Sequence, residues 1–176
     1  LGAERFVLDD GWFGNRDDDT RSLSDWTVDP RKYPDGLYPL IEHVHGLGMT
    51  FGIWFEPEMI NEDSDIHRAH PDWVLGSEDQ TLGRQQKALS MSLPAVRDYL
   101  YDRMSAILRD HQIDYIKWDH NRVLPMPDAS QTRGSYALID RLRAEFPHVE
   151  IESCASGGGR IDFGILERTQ RVWLSD

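Results

Sequence analysis

Cysteine is nearly absent: Cys154 is the only one in 176 residues. No internal disulfide can form, and a lone thiol fits a reducing, cytoplasmic compartment. No apolar run approaches the ~20 residues that a membrane helix needs. No signal peptide is visible, although the chain opens on Leu1 rather than Met. Bases are scarce as well. The 19 Lys and Arg against 31 Asp and Glu give a formal net charge of -12. Nucleic acid and anionic membranes both call for a basic surface, so neither is an expected partner. A neutral or cationic small molecule fits better.

Several catalytic signatures are missing. There is no GxGxxG or GxxxxGKS/T for a nucleotide, no HExxH or Cys/His cluster for zinc, and no GxSxG for a serine hydrolase. Asp17-Asp18-Asp19 lacks the spacing of a calcium loop. The seven histidines form no ligand pattern. These absences give no positive sign of a metal or an organic cofactor.

What is present is a globular composition, 39% hydrophobic and 28% charged, in a chain long enough for one domain with a real core. Short apolar runs predict strands at 5–8 (RFVL), 50–55 (TFGIWF), 115–118 (YIKW), 149–152 (VEIE) and 171–174 (RVWL). Helical spacing of apolar residues predicts helices over 36–47, 95–111 and 130–146, with a short one over 162–168. The alternation implies a parallel sheet with helices outside it, either doubly wound or a (β/α)8 barrel. Each strand runs into polar residues: Asp9-Asp10, Glu56 with Glu58, Asp119 with Asn121, Ser153-Cys154, Ser175-Asp176. Chemistry at the C-terminal end of every strand favours the barrel, because a doubly wound sheet gathers its ligand groups at one switch point. Five strands make an incomplete barrel. Both ends of the chain look cut, so the expectation is a piece of a longer protein. Residues 14–35 and 59–93 read as long loops on the face where substrates bind.

Lys117 and Asp119 share one side of their strand. A nearby cation keeps a carboxylate ionised, and a partly desolvated ionised Asp can act as a nucleophile. On the strand alone, a non-catalytic ion pair is an equal alternative. Asp9-Asp10 suits two vicinal hydroxyls or a metal; Asp-Gly is also a common turn. Trp54 is a platform for a sugar ring or, more commonly, a core residue. The glycines of ESCASGGGRID suit close approach of backbone to a compact ligand or to phosphate. Cys154 has no histidine placed to activate it. Asp176 adds a second carboxylate on another strand. Two facing carboxylates are the minimum for glycoside hydrolysis, and a gap of roughly 5 to 5.5 Å predicts retention.

Six motifs in this order, FVLDDGWFGNRDDD, FGIWFEPEM, HPDW, YIKWDHNR, ESCASGGGRID and VWLSD, closely resemble the bacterial α-galactosidases of glycoside hydrolase family 36, the melibiase group. The resemblance covers essentially the whole chain. It implies a catalytic (β/α)8 barrel with a β-sandwich domain before it and a smaller β domain after it. The five strands look like the second to sixth of that barrel, so residues 1–176 would be part of a single catalytic domain, with the remaining strands and flanking domains outside them. Residue by residue, Asp119 matches the nucleophile and Asp176 the general acid/base. Asp9 and Asp10 match the pair that grips galactose hydroxyls, separating its axial O4 from the equatorial one of glucose. Trp54 matches an aromatic wall. Arg84, Lys117, Asn121 and Cys154 match other sugar contacts, and Lys117 would also keep Asp119 charged. Many members read CSGGGGR where this chain has CASGGGR, so Ser156 stands where a glycine approaches the sugar. After Arg84 the chain reads KALSMS where members often read LVLDLS, so Ser90 replaces an acid. The implied activity is retaining hydrolysis of terminal α-galactosides of the melibiose and raffinose type. Alternatives are α-N-acetylgalactosaminide hydrolysis, galactosyl transfer, or a binding barrel without catalysis. The full-length parent is expected to be a homo-oligomer.

Overall fold

The sheet keeps chain order in space. In the computed structural model, which describes residues 2–126 and 128–175, the elements run β1 (Arg5–Leu8), α1 (Tyr38–Gly46), β2 (Thr50–Phe55), β3 (Met59–Ile60), α2 (Asp65–Ala69), a 3-10 turn (Pro71–Trp73), β4 (Lys87–Ala88), α3 (Pro94–Asp110), β5 (Tyr115–Trp118), α4 (Ala129–Glu145), β6 (Glu150–Ser153), α5 (Phe163–Leu166) and β7 (Arg171–Val172). Strands β1, β2, β5, β6 and β7 lie side by side in that order, every pair parallel. A doubly wound sheet reverses its order at a switch point; among the described residues this one does not. β3 and β4 form a separate antiparallel pair.

Register sorts the side chains. Ile53, Ile116 and Ile151 form one row across the sheet, each at most 2% exposed. Burial on that scale stabilises by about 1.5–3 kcal/mol per side chain. The next row is Trp54, Lys117 and Glu152, which the pleat turns to the opposite face. The sheet therefore has one greasy face and one carrying polar groups.

Local chemistry explains the helix starts. Pro94 opens α3, where its missing N–H costs nothing. Asp128 caps α4 by accepting from the backbone N–H groups of Ser130 and Gln131. Asp162 caps α5 through the N–H of Ile165. Inside α4, Gly134 sits against the carbonyl of Met91, where any β-carbon would collide. None of the described helices is long and apolar enough to cross a membrane.

Three expectations need correction. β6 begins at Glu150, one residue later than predicted, because the N–H of Val149 closes a turn onto Phe146. β7 is two residues long, although the N–H of Trp173 still reaches the carbonyl of Ser153 at 2.9 Å. The stretch 59–93, read as loop, holds β3, α2, the 3-10 turn and β4; such short pieces leave no periodicity to detect. Residues 14–35 do lack a named helix or strand, yet Leu23 and Trp26 are fully buried, at 0% and 1% exposed.

Candidate active site

Asp119 follows β5 directly and is 6% exposed. Its backbone N–H continues the ladder onto Phe55, which fixes the carboxyl at the C-terminal end of the sheet. Trp54 Nε1 donates to its Oδ2 at 3.0 Å, and Asn121 Nδ2 donates to the same oxygen at 2.6 Å. The N–H of His120 donates to Oδ1 at 2.9 Å. Burial pushes this carboxyl up, but the hydrogen bonds from Trp54, Asn121, the Cys154 thiol and His120 outweigh it and hold Asp119 below its ordinary value.

Lys117 takes a different partner from the one expected. Its ion pair is with Asp9, Nζ to Oδ2 at 2.9 Å. Burial works against the lysine's charge, yet Asp9, with Asp119 nearby, raises it above the ordinary value. Asp119 is thus kept charged chiefly by neighbouring N–H and S–H donors. Asp10 is gripped through both oxygens by Arg16, at 2.9 and 2.8 Å. Arg16 is only 4% exposed and spends another nitrogen on Asn61.

Trp54 is 3% exposed. It stacks on Phe13 with ring centroids 6.4 Å apart and meets Trp26 edge-on at 6.0 Å. It therefore presents an edge to the site and no open ring face; what it contributes to Asp119 is its N–H. The glycine run also has a local cause. A β-carbon on Gly158 would lie 2.9 Å from the Leu174 carbonyl oxygen, and one on Gly159 2.5 Å from that of Ala155. The backbone these glycines admit is the chain's own. Ser156, at φ 45°, turns its hydroxyl onto Asn121 Oδ1 at 3.3 Å.

Arg84 stands on an exposed tight turn and makes no ion pair among the described residues, although its charge acts on Glu56. Ser90 hydrogen-bonds Ser92. Asp176 lies outside the described residues. The fold thus joins Ser156, Asn121, Asp119, Trp54 and Cys154 in one linked group, with Lys117 and Asp9 beside it.

Two acids of FEPE were noted in sequence only as polar strand-end residues. Glu56 is 1% exposed and accepts from the N–H of Asn121 at 2.6 Å and from Gln86 Nε2 at 2.8 Å. Burial and the charge of Asp119 push it up to about 8. Glu58 is gathered by Trp118 Nε1, Ser135 and Arg160. Burial opposes its charge, but Arg160 and His120 hold it well below the usual carboxylate range. A cleft of about 590 Å³ lies beside this second cluster, lined among others by His120, Asn121, Ser156 and Arg160. Strand parity was the available signal, since residue 56 shares the face of Trp54. No described group of three or more His, Cys, Asp or Glu is arranged to hold a metal ion.

The fold and this site define an α/β protein with a buried aspartate at the C-terminal end of a parallel strand, held below its ordinary value by indole, amide, backbone and thiol donors. The chain belongs to the melibiase family, whose model matches residues 1–176. It is 54% identical to an Escherichia coli alpha-galactosidase, over all of this chain and 26% of that protein. Among solved structures it superposes on the alpha-galactosidase of Lactobacillus brevis with a TM-score of 0.89 at 46% identity, covering 98% of this chain and 25% of that one. It superposes on a variant of the GH36 alpha-galactosidase AgaA of Geobacillus stearothermophilus, solved in complex with stachyose, with a TM-score of 0.92 at 42% identity, covering 99% of this chain and 26% of that one. The chain spans about a quarter of the length of the relatives it matches.

Proposed function

We propose that the whole protein carrying this chain is a retaining α-galactosidase that hydrolyses terminal α-D-galactosyl residues of melibiose- and raffinose-type oligosaccharides. The observation that carries this reading is Asp119: an aspartate 6% exposed yet held ionised by the donors around it. Such a group is a ready nucleophile, its charge poorly hydrated and its orientation fixed. The names of the relatives, and a relative bound to stachyose, support the substrate class. The in-order parallel sheet supports residues 1–176 as the second to sixth strands of a (β/α)8 barrel.

In the proposed mechanism an Asp119 oxygen attacks the anomeric carbon from the face opposite the leaving group. The C1–O bond breaks, and the departing oxygen takes a proton from Asp176. Asp176 then removes a proton from water, which displaces Asp119 and releases α-galactose. Lys117, Asp9 and Asp10 are suited to hold sugar hydroxyls, being charged, partly exposed and already oriented by their partners. No metal or organic cofactor enters.

Proton NMR of the whole protein cleaving an aryl α-galactoside, read before mutarotation, tests this. α-Galactose is expected first. β-Galactose first would make Asp119 a base and the reaction inverting. Asp119→Ala is expected to lose about 10⁴-fold or more in kcat. Azide should restore turnover by attacking the face that Asp119 vacates, giving the β-azide; an α-azide would move the nucleophile's role elsewhere.

A further inference from the structure

The proposed mechanism leaves the buried acids Glu56 and Glu58 unused, and Glu56 touches the residue that holds Asp119. We propose that Glu56 is a positioning residue: its carboxyl anchors the backbone of Asn121 and so fixes the amide that clamps Asp119 Oδ2. The inference rests on the reading of Asp119 as nucleophile.

The contacts form a chain. Glu56 Oε1 accepts from the Asn121 N–H at 2.6 Å. The Asn121 side chain then donates Nδ2 to Asp119 Oδ2 at 2.6 Å. Ser156 Oγ donates to Asn121 Oδ1 at 3.3 Å, which decides which end of that amide faces the carboxylate. The other oxygen of Glu56 accepts from Gln86 Nε2 at 2.8 Å, just before β4. Glu56 therefore ties two separate segments, one ending at β4 and one following β5, to a single point. Residues 119–121 form no helix or strand: the sheet ladder ends at the Asp119 N–H, and it is Glu56 that takes up the N–H of Asn121. Asn121 is 7% exposed, and a buried N–H left without an acceptor is costly.

The state of Glu56 agrees with the role. Burial and the charge of Asp119 push it up to about 8, so at neutral pH it holds a proton. Arg84 acts on it in the opposite direction. A neutral acid positions Asn121 without setting a second negative charge against the nucleophile. Gln86 Oε1 is buried without a partner, and a half-turn of that amide offers the Glu56 proton an acceptor.

The test is a kinetic comparison in the whole protein with an aryl α-galactoside. Glu56→Ala is expected to lower kcat by about 100-fold, the scale of a small misplacement of reacting groups, with KM little changed. Glu56→Gln keeps the shape and the acceptor, and is expected to run close to the wild type. In a cycle with Asn121→Ala, adding Glu56→Ala should cost little more, because the clamp is already gone. Wild-type kcat in Glu56→Ala, a Glu56→Gln variant as slow as Glu56→Ala, or additive losses in the cycle would each overturn the inference. Should Glu56→Ala not fold, Glu56→Asp, which withdraws the carboxyl by one methylene, replaces it with the same expectation. Absence of turnover in the wild type defeats the functional reading and this inference with it; turnover with an unaffected Glu56→Ala defeats this inference alone.

Discussion

Glu56 and Asp119 share one hydrogen-bonded network, yet their surroundings drive them in opposite directions. For Asp119, hydrogen bonds to the charged form win; for Glu56, burial and the neighbouring charge win. The consequence for stability has a definite sign. Glu56 rises from 4.5 to about 8 on folding, so its contribution is complete below about pH 4.5 and is lost as pH climbs towards 8. Asp119 is lowered, so its contribution is present above its ordinary value and is lost as pH falls. Glu56→Gln should therefore leave thermal stability near the wild type at pH 5 and exceed it increasingly up to pH 9, by a few kcal/mol at most. Melting curves across that range check it; a difference that does not change with pH would contradict it. This residue was visible in sequence only as one of two acids in FEPE. Its partners, Asn121 and Gln86, are 65 and 30 positions away, a distance no local pattern spans.

Among the elements, long periodic ones were legible and short ones were not. The first three strands of the main sheet fell where their β-branched and aromatic runs put them, and α3 and α4 each shifted by one residue. The β3–β4 pair escaped, and with it the turn that sets Gln86 against Glu56. Gly83 and Gln86 exchange backbone hydrogen bonds across Arg84 and Gln85, which stand at φ 50° and 62°. Two consecutive left-handed residues make a type I′ turn, normally given to Asn and Gly. Here it is built from Arg and Gln, and each left-handed non-glycine costs about 1–2 kcal/mol. Gln85→Gly removes that strain at about 0.5–1 kcal/mol of unfolded-chain entropy. It should stabilise the whole protein by about 0.5–1 kcal/mol, read from the midpoint of urea unfolding; destabilisation would mean that the Gln85 side chain does more than complete a turn. The roles of Trp54 and Lys117 were legible only in part. Their positions and facing followed from strand parity, but the stacking of Phe13 on Trp54 and the choice of Asp9 by Lys117 depend on the loop after β1, whose path has no repeating pattern.

At the scale of the molecule, the sheet has an edge at β1 and another at β7, neither covered by a further strand among the described residues. Large apolar side chains stand open as well: Phe163 and Val123 are each 88% exposed and Leu174 is 73% exposed. Open edges and patches of this kind call for covering structure. Residues 1–176 expressed alone should give no α-galactoside turnover and should bind a hydrophobic dye. Turnover comparable to the whole protein would show that these residues make a complete site without the rest.

The indole that steadies Asp119 is also a fluorophore. Trp54 lies with its N–H on the carboxylate, inside a cage of Phe13, Trp26 and, through Trp26, Phe55. Emission from a buried indole responds to charge beside the ring. The proposed covalent step removes the charge nearest this one, so an unlabelled protein carries an optical signal of whether its nucleophile is free or occupied.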